Sequence, residues 1–316
     1  HDSIGGCSID EVHRQMAGRT ATTVGLCTAT TSRVLERLAG LGPDRHMPWS
    51  TELDLAVFNP SPQTRTDVVR VPLDGFPLYR ISVADAGTHP LASAAGTVTG
   101  YEVDGRPVRI LRSTDPNRVR MVEDWPALDV ELLVTEVPGL GWRRLRLTPS
   151  TTAHEDLVDD GRSIDNGEGL CVEVADDGTF TLTQHGRTMH GLLGVEDRGD
   201  RGDTYDFDPV SDDPGAVLGE VTVERRRHAS GISTLMVTRR LEIPTELLDD
   251  RSARSSDRVT LTLRTEARVA PGIDRVDVTV TMDNPGRDHR VRLLFPTGAP
   301  VERFAAATTF GVAERS

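Results

Sequence analysis

Residues 259–263 read Val-Thr-Leu-Thr-Leu and residues 276–280 read Val-Asp-Val-Thr-Val, so apolar and polar side chains alternate with a period of two. In an extended chain this period puts the apolar side chains on one face, which predicts strands with one buried face. Similar short apolar-rich runs lie elsewhere, at 53–57, 69–71, 130–134, 145–147, 170–174, 180–182 and 291–295. Turn residues such as Pro271-Gly272 separate the runs. Many short strands without helical patterns between them predict antiparallel sheets packed as β-sandwiches.

The first forty residues have a different period. Apolar or small residues recur there at steps of three and four, and Ser8 followed by Glu11 has the spacing of a capping box. This pattern predicts one amphipathic helix over about residues 9–39, ended by Gly40 and Gly42-Pro43. A lone helix of that length cannot bury its own apolar stripe. We therefore expect it to pack on helices that this chain lacks, or on the domain that follows.

These patterns predict a mainly β protein with an N-terminal helical segment. A stretch rich in Ser, Thr, Asp and Gly near residues 150–165 divides the β region into a smaller and a larger part. We expect a helical segment at 1–45, a first β-sandwich domain at 46–155 and a larger one at 156–316. The strand-like run that starts at Ala305 has no closing pattern, so the chain is expected to be truncated at both ends.

Composition excludes several classes of protein. The net charge of −13 argues against a nucleic acid or an anionic membrane as the main partner. The apolar runs span only a few residues each, too few for a membrane-spanning helix. The 3 cysteines are widely spaced, which excludes a disulfide scaffold and favours a reducing, cytoplasmic location.

Two segments contain residues that could carry chemistry. His1-Asp2 precedes a flexible glycine pair and a helix start, so an imidazole and a carboxylate could face one pocket. The acidic stretch 196–209 combines carboxylates and glycines with Tyr205. Its carboxylates could bind sugar hydroxyls or a calcium ion, or the stretch could be a solvated loop. The remaining histidines are scattered, and His185 and His190 are poorly spaced for a shared metal.

Several motifs, taken in order, resemble the glycoside hydrolase family 38 α-mannosidases of bacteria. The opening residues 1–8, HDSIGGCS, followed by DEVH at 10–13, resemble the family's central signature. Residues 57–60, VFNP, resemble its first β-domain strand and turn. The acidic segment 197–209, with its Gly-Asp-Xaa-Tyr core, and RLLFPT at 292–297 resemble two further hallmarks in the C-terminal β region.

The resemblance implies a zinc-dependent retaining hydrolase of α-mannosides, with an aspartate nucleophile and a second carboxylate as acid/base. By motif alignment, His1 would be one zinc ligand, and Asp2, Asp203 and Tyr205 would contact the sugar. In the family, the nucleophile, the acid/base and the other zinc ligands come from an N-terminal domain. The resemblance therefore implies no catalytic residue within this chain, which would be the end of a three-helix-bundle middle domain and the β domains, inactive by itself.

Two alternatives stay open from the sequence. One is a stand-alone carbohydrate-binding or interaction module with the same sandwich fold, and the other is a calcium-stabilised adhesion-type β protein built on the acidic loop. The apolar helix stripe argues against an independent module, because such a module should contain the helix's partner. A homo-oligomer is compatible with either alternative and with the α-mannosidase.

Overall fold

In the residues that it describes, the computed structural model shows one helix followed by antiparallel β-sheets. It describes residues 9–40, 53–72, 91–93, 96–98, 100–112, 128–152, 154–203, 206–298, 300–308 and 311–315. The predicted fold class, mainly β with an N-terminal helical segment, is confirmed. The predicted domain boundaries at 45/46 and 155/156 stay predictions.

Helix α1 spans Asp10–Leu38, close to the predicted 9–39. Ser8 of the predicted capping box lies outside the described residues, within which the N-cap residue is Ile9, whose side chain makes no capping hydrogen bond. Glu11 instead accepts hydrogen bonds from the side chains of Arg14 and Gln15, one turn along the helix. No helix in the described part of the chain is long and apolar enough to cross a membrane.

In the described part of the chain, the contact between helix α1 and the β region lies near the C-terminal end of the helix. None of its 29 residues is buried, whereas Ala39, just after the helix, is buried. Arg144 donates a hydrogen bond of 2.9 Å to the Ala39 carbonyl and lies over the ring of Trp142, which stacks on Phe58. The apolar stripe of α1 therefore contains no buried residue.

The first β region consists of two facing sheets and a small hairpin. Strand orders are β1-β9-β5-β6 and β2-β8-β7, and β3 pairs with β4. The two larger sheets share one core, in which Tyr101 and Leu147 of one sheet pack with Leu132 of the other. The strands are β1 Leu53–Asn59, β2 Arg65–Pro72, β3 Leu91–Ser93, β4 Gly96–Val98, β5 Gly100–Val103, β6 Arg106–Pro107, β7 Arg109–Arg112, β8 Leu128–Val137 and β9 Gly141–Ser150.

The second β region is larger. A five-stranded sheet, β10-β16-β17-β18-β19, covers a four-stranded sheet, β11-β12-β13-β14, and the pair β15-β20. Leu235 and Ile243 of the central strand β17 lie in the two cores between these layers. The strands are β10 Leu157–Asp159, β11 Ser163–Asp165, β12 Leu170–Val174, β13 Phe180–Gln184, β14 Arg187–Leu192, β15 Gly194–Gly199, β16 Val217–Arg227, β17 Ser233–Pro244, β18 Arg258–Val269, β19 Asp277–Asp283, β20 His289–Leu294, β21 Phe304–Thr308 and β22 Gly311–Arg315.

A buried glutamate links the two β regions. Glu131 of β8 pairs with Arg109 of the same sheet at 3.0 Å and with Arg268 of β18 across the junction. Arg109 in turn pairs with Asp156, just before β10, at 2.5 Å. Burial by itself would lower the pKa of Arg109, but the carboxylates of Asp156 and Glu131 outweigh it, and the pKa lies above its ordinary value. Beside this network, Leu133 packs against a small apolar cluster of the second region.

The exposed helix generates the first prediction. We expect amide hydrogen exchange in residues 9–25 of the isolated chain to be fast, because a helix with exposed apolar residues and two internal glycines has little to stabilise it. Exchange should slow towards Ala39, where the helix contacts the sheet. Slow exchange across residues 9–25 in the monomer would contradict a missing helix partner.

The junction generates the second prediction. Glu131→Ala leaves two arginines without their shared buried carboxylate, so it should lower the free energy of unfolding by roughly 3–5 kcal/mol in urea titrations. The matched control is Glu220→Ala, since Glu220 pairs with Arg240 at 3.5 Å on the exposed surface, where ion pairs contribute little. Equal effects of the two substitutions would show that the junction does not depend on Glu131.

Candidate functional site

The acidic segment begins inside a strand and continues as a loop. Residues 196–199 belong to β15, paired with β20, so only the residues from 200 onward form the loop that the sequence suggested. Asp203 lies on this loop and is exposed. The other predicted site residues, His1, Asp2 and Tyr205, fall outside the described residues.

The loop is tightly folded by its own carboxylates. Asp200 Oδ1 accepts hydrogen bonds from the backbone N–H groups of Gly202 at 2.9 Å and Asp208 at 3.0 Å. The Asp208 carboxylate accepts from Arg201 at 2.8 Å, and Asp203 Oδ1 accepts from the Asp206 N–H at 3.2 Å. These carboxylates shape the turn by satisfying backbone donors, as Asp side chains commonly do in loops.

At two positions in this segment a neighbouring group lies so close to the backbone that only glycine fits. A Cβ on Gly202 would lie 1.7 Å from the Asp206 carbonyl oxygen, so any other residue would open the loop. A Cβ on Gly199 would lie 2.8 Å from the Arg254 side chain, which packs directly beneath the end of β15. Gly202 therefore allows the loop backbone to pack against itself, and Gly199 allows Arg254 to pack against the end of β15.

That arginine belongs to a cluster of two cations and two carboxylates beneath the loop. Arg254 Nη1 lies 2.5 Å from Asp197 Oδ2 and 3.4 Å from Asp213 Oδ1, and His289 Nδ1 lies 2.5 Å from Asp197 Oδ1. All four side chains are at most 2% exposed. Asp213 also accepts hydrogen bonds from the N–H groups of Gly199 and Gly215, one at each end of the loop. The cluster thus joins β15, β20 and both ends of the loop.

The hydrogen-bond partners of His289 indicate which form of its ring fits the cluster. Its Nδ1 faces the Asp197 carboxylate, and its Nε2 lies 3.0 Å from Asn284 Oδ1. The Asn284 oxygen also accepts from the Gly286 N–H, which fixes the orientation of that amide. Both ring nitrogens therefore face acceptors, and only the imidazolium form donates from both. The buried cluster is charge-balanced.

The pKa of Asp197 follows from this environment. Burial by itself would raise it, but hydrogen bonds from His289 and Arg254 outweigh burial, and the pKa lies below its ordinary value. Because the folded-state pKa is depressed, the contribution of Asp197 to stability is complete above the unfolded pKa of about 4 and is lost as the pH falls through the folded value.

A second anchor holds the far side of the loop. The guanidinium of Arg290, on β20, lies 3.3 Å from the ring centroid of Phe207. The Asp200 N–H donates to the Asp288 carbonyl at 2.9 Å, which ties the loop to the turn before β20. The cation–π contact of Arg290 restrains the loop at Phe207, and the backbone hydrogen bond to Asp288 restrains it at Asp200.

No metal site forms among the described residues. No three of His, Cys, Asp and Glu in this part of the chain lie close enough to hold an ion. The described residues therefore give no support to the calcium alternative. His185 pairs with Asp274 at 2.8 Å, whereas His190 contacts Thr181, so the two histidines do not share a ligand.

The sequence analysis missed the residues that hold the loop. Arg254 lies in an arginine- and serine-rich run, 251–258, that reads as solvated surface, and His289 lies in a charged stretch. The only signal is indirect: β15 and β20 must pair to bury their valines and leucines, and this pairing brings Asp197 to His289.

Comparisons with known proteins are consistent with this fold. No protein-family model matches the chain. The "Putative mannosylglycerate hydrolase" of Halalkalibacterium halodurans is 26% identical over 361 residues, which cover 100% of this chain and 39% of that protein. An alpha-mannosidase from Enterococcus faecalis V583 has a similar structure, with a TM-score of 0.70 and 23% identity over 100% of this chain and 39% of its own. A glycosyl hydrolase family 38 protein from Enterococcus faecalis gives a TM-score of 0.71 and 22% identity over 100% of this chain and 41% of its own.

The chain shares its fold with part of each of these two structures, and the predicted resemblance to family 38 is confirmed. The structural likeness covers the whole chain, including the helix and both β regions. The chain spans about two fifths of the length of the relatives that it matches.

The loop geometry generates the third prediction. Asp200→Asn keeps the Oδ1 acceptor and should leave the melting temperature nearly unchanged, whereas Asp200→Ala loses two hydrogen bonds of about 1 kcal/mol each and should lower it. Millimolar calcium should have no effect on either variant or on the parent chain, and Asp249→Ala, on the exposed surface, is the control. If calcium raises the melting temperature by several degrees and Asp200→Asn abolishes that rise, the loop is a metal site.

Proposed function

We propose that this chain is the helical and β-sandwich part of a zinc-dependent retaining α-mannosidase, which lines the sugar site but lacks the reacting carboxylates. The observation that carries the proposal is the structural match over the whole chain to an alpha-mannosidase, at a TM-score of 0.70. The order of the motifs supports it independently, because the segments that resemble family 38 follow one another along the chain.

In this proposal the acidic loop recognises the sugar. A carboxylate such as Asp203 accepts hydrogen bonds from vicinal hydroxyls, and a charged acceptor makes such bonds stronger than neutral ones. The loop is held by its internal bonds and by the buried cluster beneath it, so little conformational entropy is lost when a sugar binds. Tyr205 follows Asp203 at a spacing that the resemblance assigns to the pocket.

The two carboxylates of a retaining mechanism would come from the remainder of the protein, as the family resemblance implies. One would attack the anomeric carbon and the other would protonate the leaving oxygen. The contribution of this chain would be to bind and orient the mannoside against them, which converts binding energy into correct geometry.

Zinc enters the proposal through the resemblance. The described residues by themselves do not fit a zinc site, since they bring no three ligand side chains together. His1 would join ligands from the remainder of the protein, and the bound ion would hold hydroxyl groups of the sugar.

The substrate class is an α-mannoside. The name of the Halalkalibacterium halodurans relative points to mannose linked to glycerate, a small anionic aglycone, and that of the Enterococcus faecalis enzyme to α-mannosides in general. A stand-alone carbohydrate-binding module is disfavoured by α1, whose 29 residues include none that is buried.

The proposal predicts a difference between the whole protein and this chain, which is the fourth prediction. The whole protein should hydrolyse an aryl α-mannoside or mannosylglycerate with retention at the anomeric carbon. Proton NMR of the product measures this stereochemistry. The 316-residue chain should not hydrolyse either compound when zinc is added, because both reacting carboxylates would be supplied by the remainder of the protein.

Two outcomes would contradict the proposal. In the first, the purified 316-residue chain hydrolyses a mannoside and the Asp2→Asn variant does not, since the chain would then hold its own catalytic groups. The second is a whole protein that binds mannosides but never hydrolyses them, which would favour the carbohydrate-binding module.

A further inference from the structure

We infer that His289 is a positioning residue of the proposed sugar site, and that its positive charge holds the acidic loop in the geometry that binds substrate. The inference rests on the proposed function for its effect on substrate, but its effect on the loop can be measured without any activity.

The first step of the argument is that His289 acts through Asp197. The imidazolium donates to Asp197 Oδ1, and Arg254 occupies the other carboxylate oxygen, Oδ2. Asp197 is thereby held from two sides at the point where β15 runs into the loop. The Gly199 N–H, two residues on, donates to Asp213 at 2.5 Å, so a shift of Asp197 is transmitted to both ends of the loop.

The second step is that the charge, and not only the shape, of His289 is needed. The groups that contact its ring are Asp197 of β15 and Asn284 of the β19–β20 turn. Arg254 of the β17–β18 loop pairs with Asp197 and with Asp213 of the β15–β16 loop, which completes the cluster. When His289 loses a proton, one ring nitrogen presents a lone pair to an acceptor oxygen. The buried cluster then has two negative charges and one positive charge, which solvent screens little.

The chain contains a matched control for this arrangement. His185 and Asp274 also form a His–Asp pair, at 2.8 Å, but their side chains are 70% and 53% exposed. Solvent screens that pair, so its loss should change neither the loop nor substrate binding. A comparison of His289→Gln with His185→Gln therefore separates the buried cluster from the general effect of removing a histidine.

The first experiment uses hydrogen exchange in the isolated chain. In His289→Gln, the amides of Gly199, Asp200 and Arg201 should exchange at least tenfold faster, because the contacts that fix them are weakened. The amides of β12 and β13 should keep their wild-type rates, and His185→Gln should change none of these amides. Unchanged loop exchange in His289→Gln, or an equal increase throughout the chain, would overturn the inference.

A second variant covers the case in which His289→Gln does not fold. Asn284→Ala, in an exposed turn, removes the oxygen that His289 Nε2 contacts, so the three loop amides should exchange faster while those of β12 and β13 keep their wild-type rates. Unchanged loop exchange in Asn284→Ala would overturn the inference.

The second experiment uses the whole protein. His289→Gln should raise KM for an aryl α-mannoside about tenfold and change kcat by less than about threefold, because loop position affects binding more than the chemical step. A fall in kcat with KM unchanged would overturn the role in substrate binding. If the whole protein hydrolyses no mannoside, the proposed function fails, and hydrogen exchange still decides whether His289 holds the loop.

Discussion

The acidic loop depends on one buried cluster of balanced charge, Arg254 and His289 with Asp197 and Asp213. Four ionised side chains that are at most 2% exposed are stable only if each finds a partner, because an unpaired charge in the interior costs several kcal/mol. Here the partners lie on different strands and loops, so the requirement for pairing fixes how these segments meet. An exposed loop rich in glycine and aspartate would otherwise sample many conformations.

The strand that carries Asp197 is itself held by a buried arginine. Between β14 and β15 the chain turns at Leu193, whose φ of 60° is unusual for a residue other than glycine. Arg239, from the centre of β17, donates to the Leu193 carbonyl at 2.8 Å and thereby stabilises this corner. Further along the molecule, Glu131 joins the two β regions by the same principle. Buried charges therefore set the path of the chain at three separate places.

The β architecture was predictable because it follows from local pattern. The alternation at 259–263 and 276–280 marks β18 and β19, and the helix was placed to within one residue at each end. The buried cluster was not predictable, since the Arg254 guanidinium lies beside Asp197 only after strands far apart in sequence have paired. Arg254 and Asp197 are charged and lie in charged stretches of sequence, so the sequence alone places them at the surface. In the structure both side chains are buried.

The protonation of His289 tests this account most directly. Nitrogen-15 NMR of the imidazole in the isolated chain reports whether each ring nitrogen carries a proton. The geometry of the cluster predicts that both nitrogens are protonated, with Nδ1 bound to Asp197 and Nε2 to Asn284. A neutral ring with one unprotonated nitrogen in the folded chain would contradict the charge-balanced cluster and the loop position that depends on it.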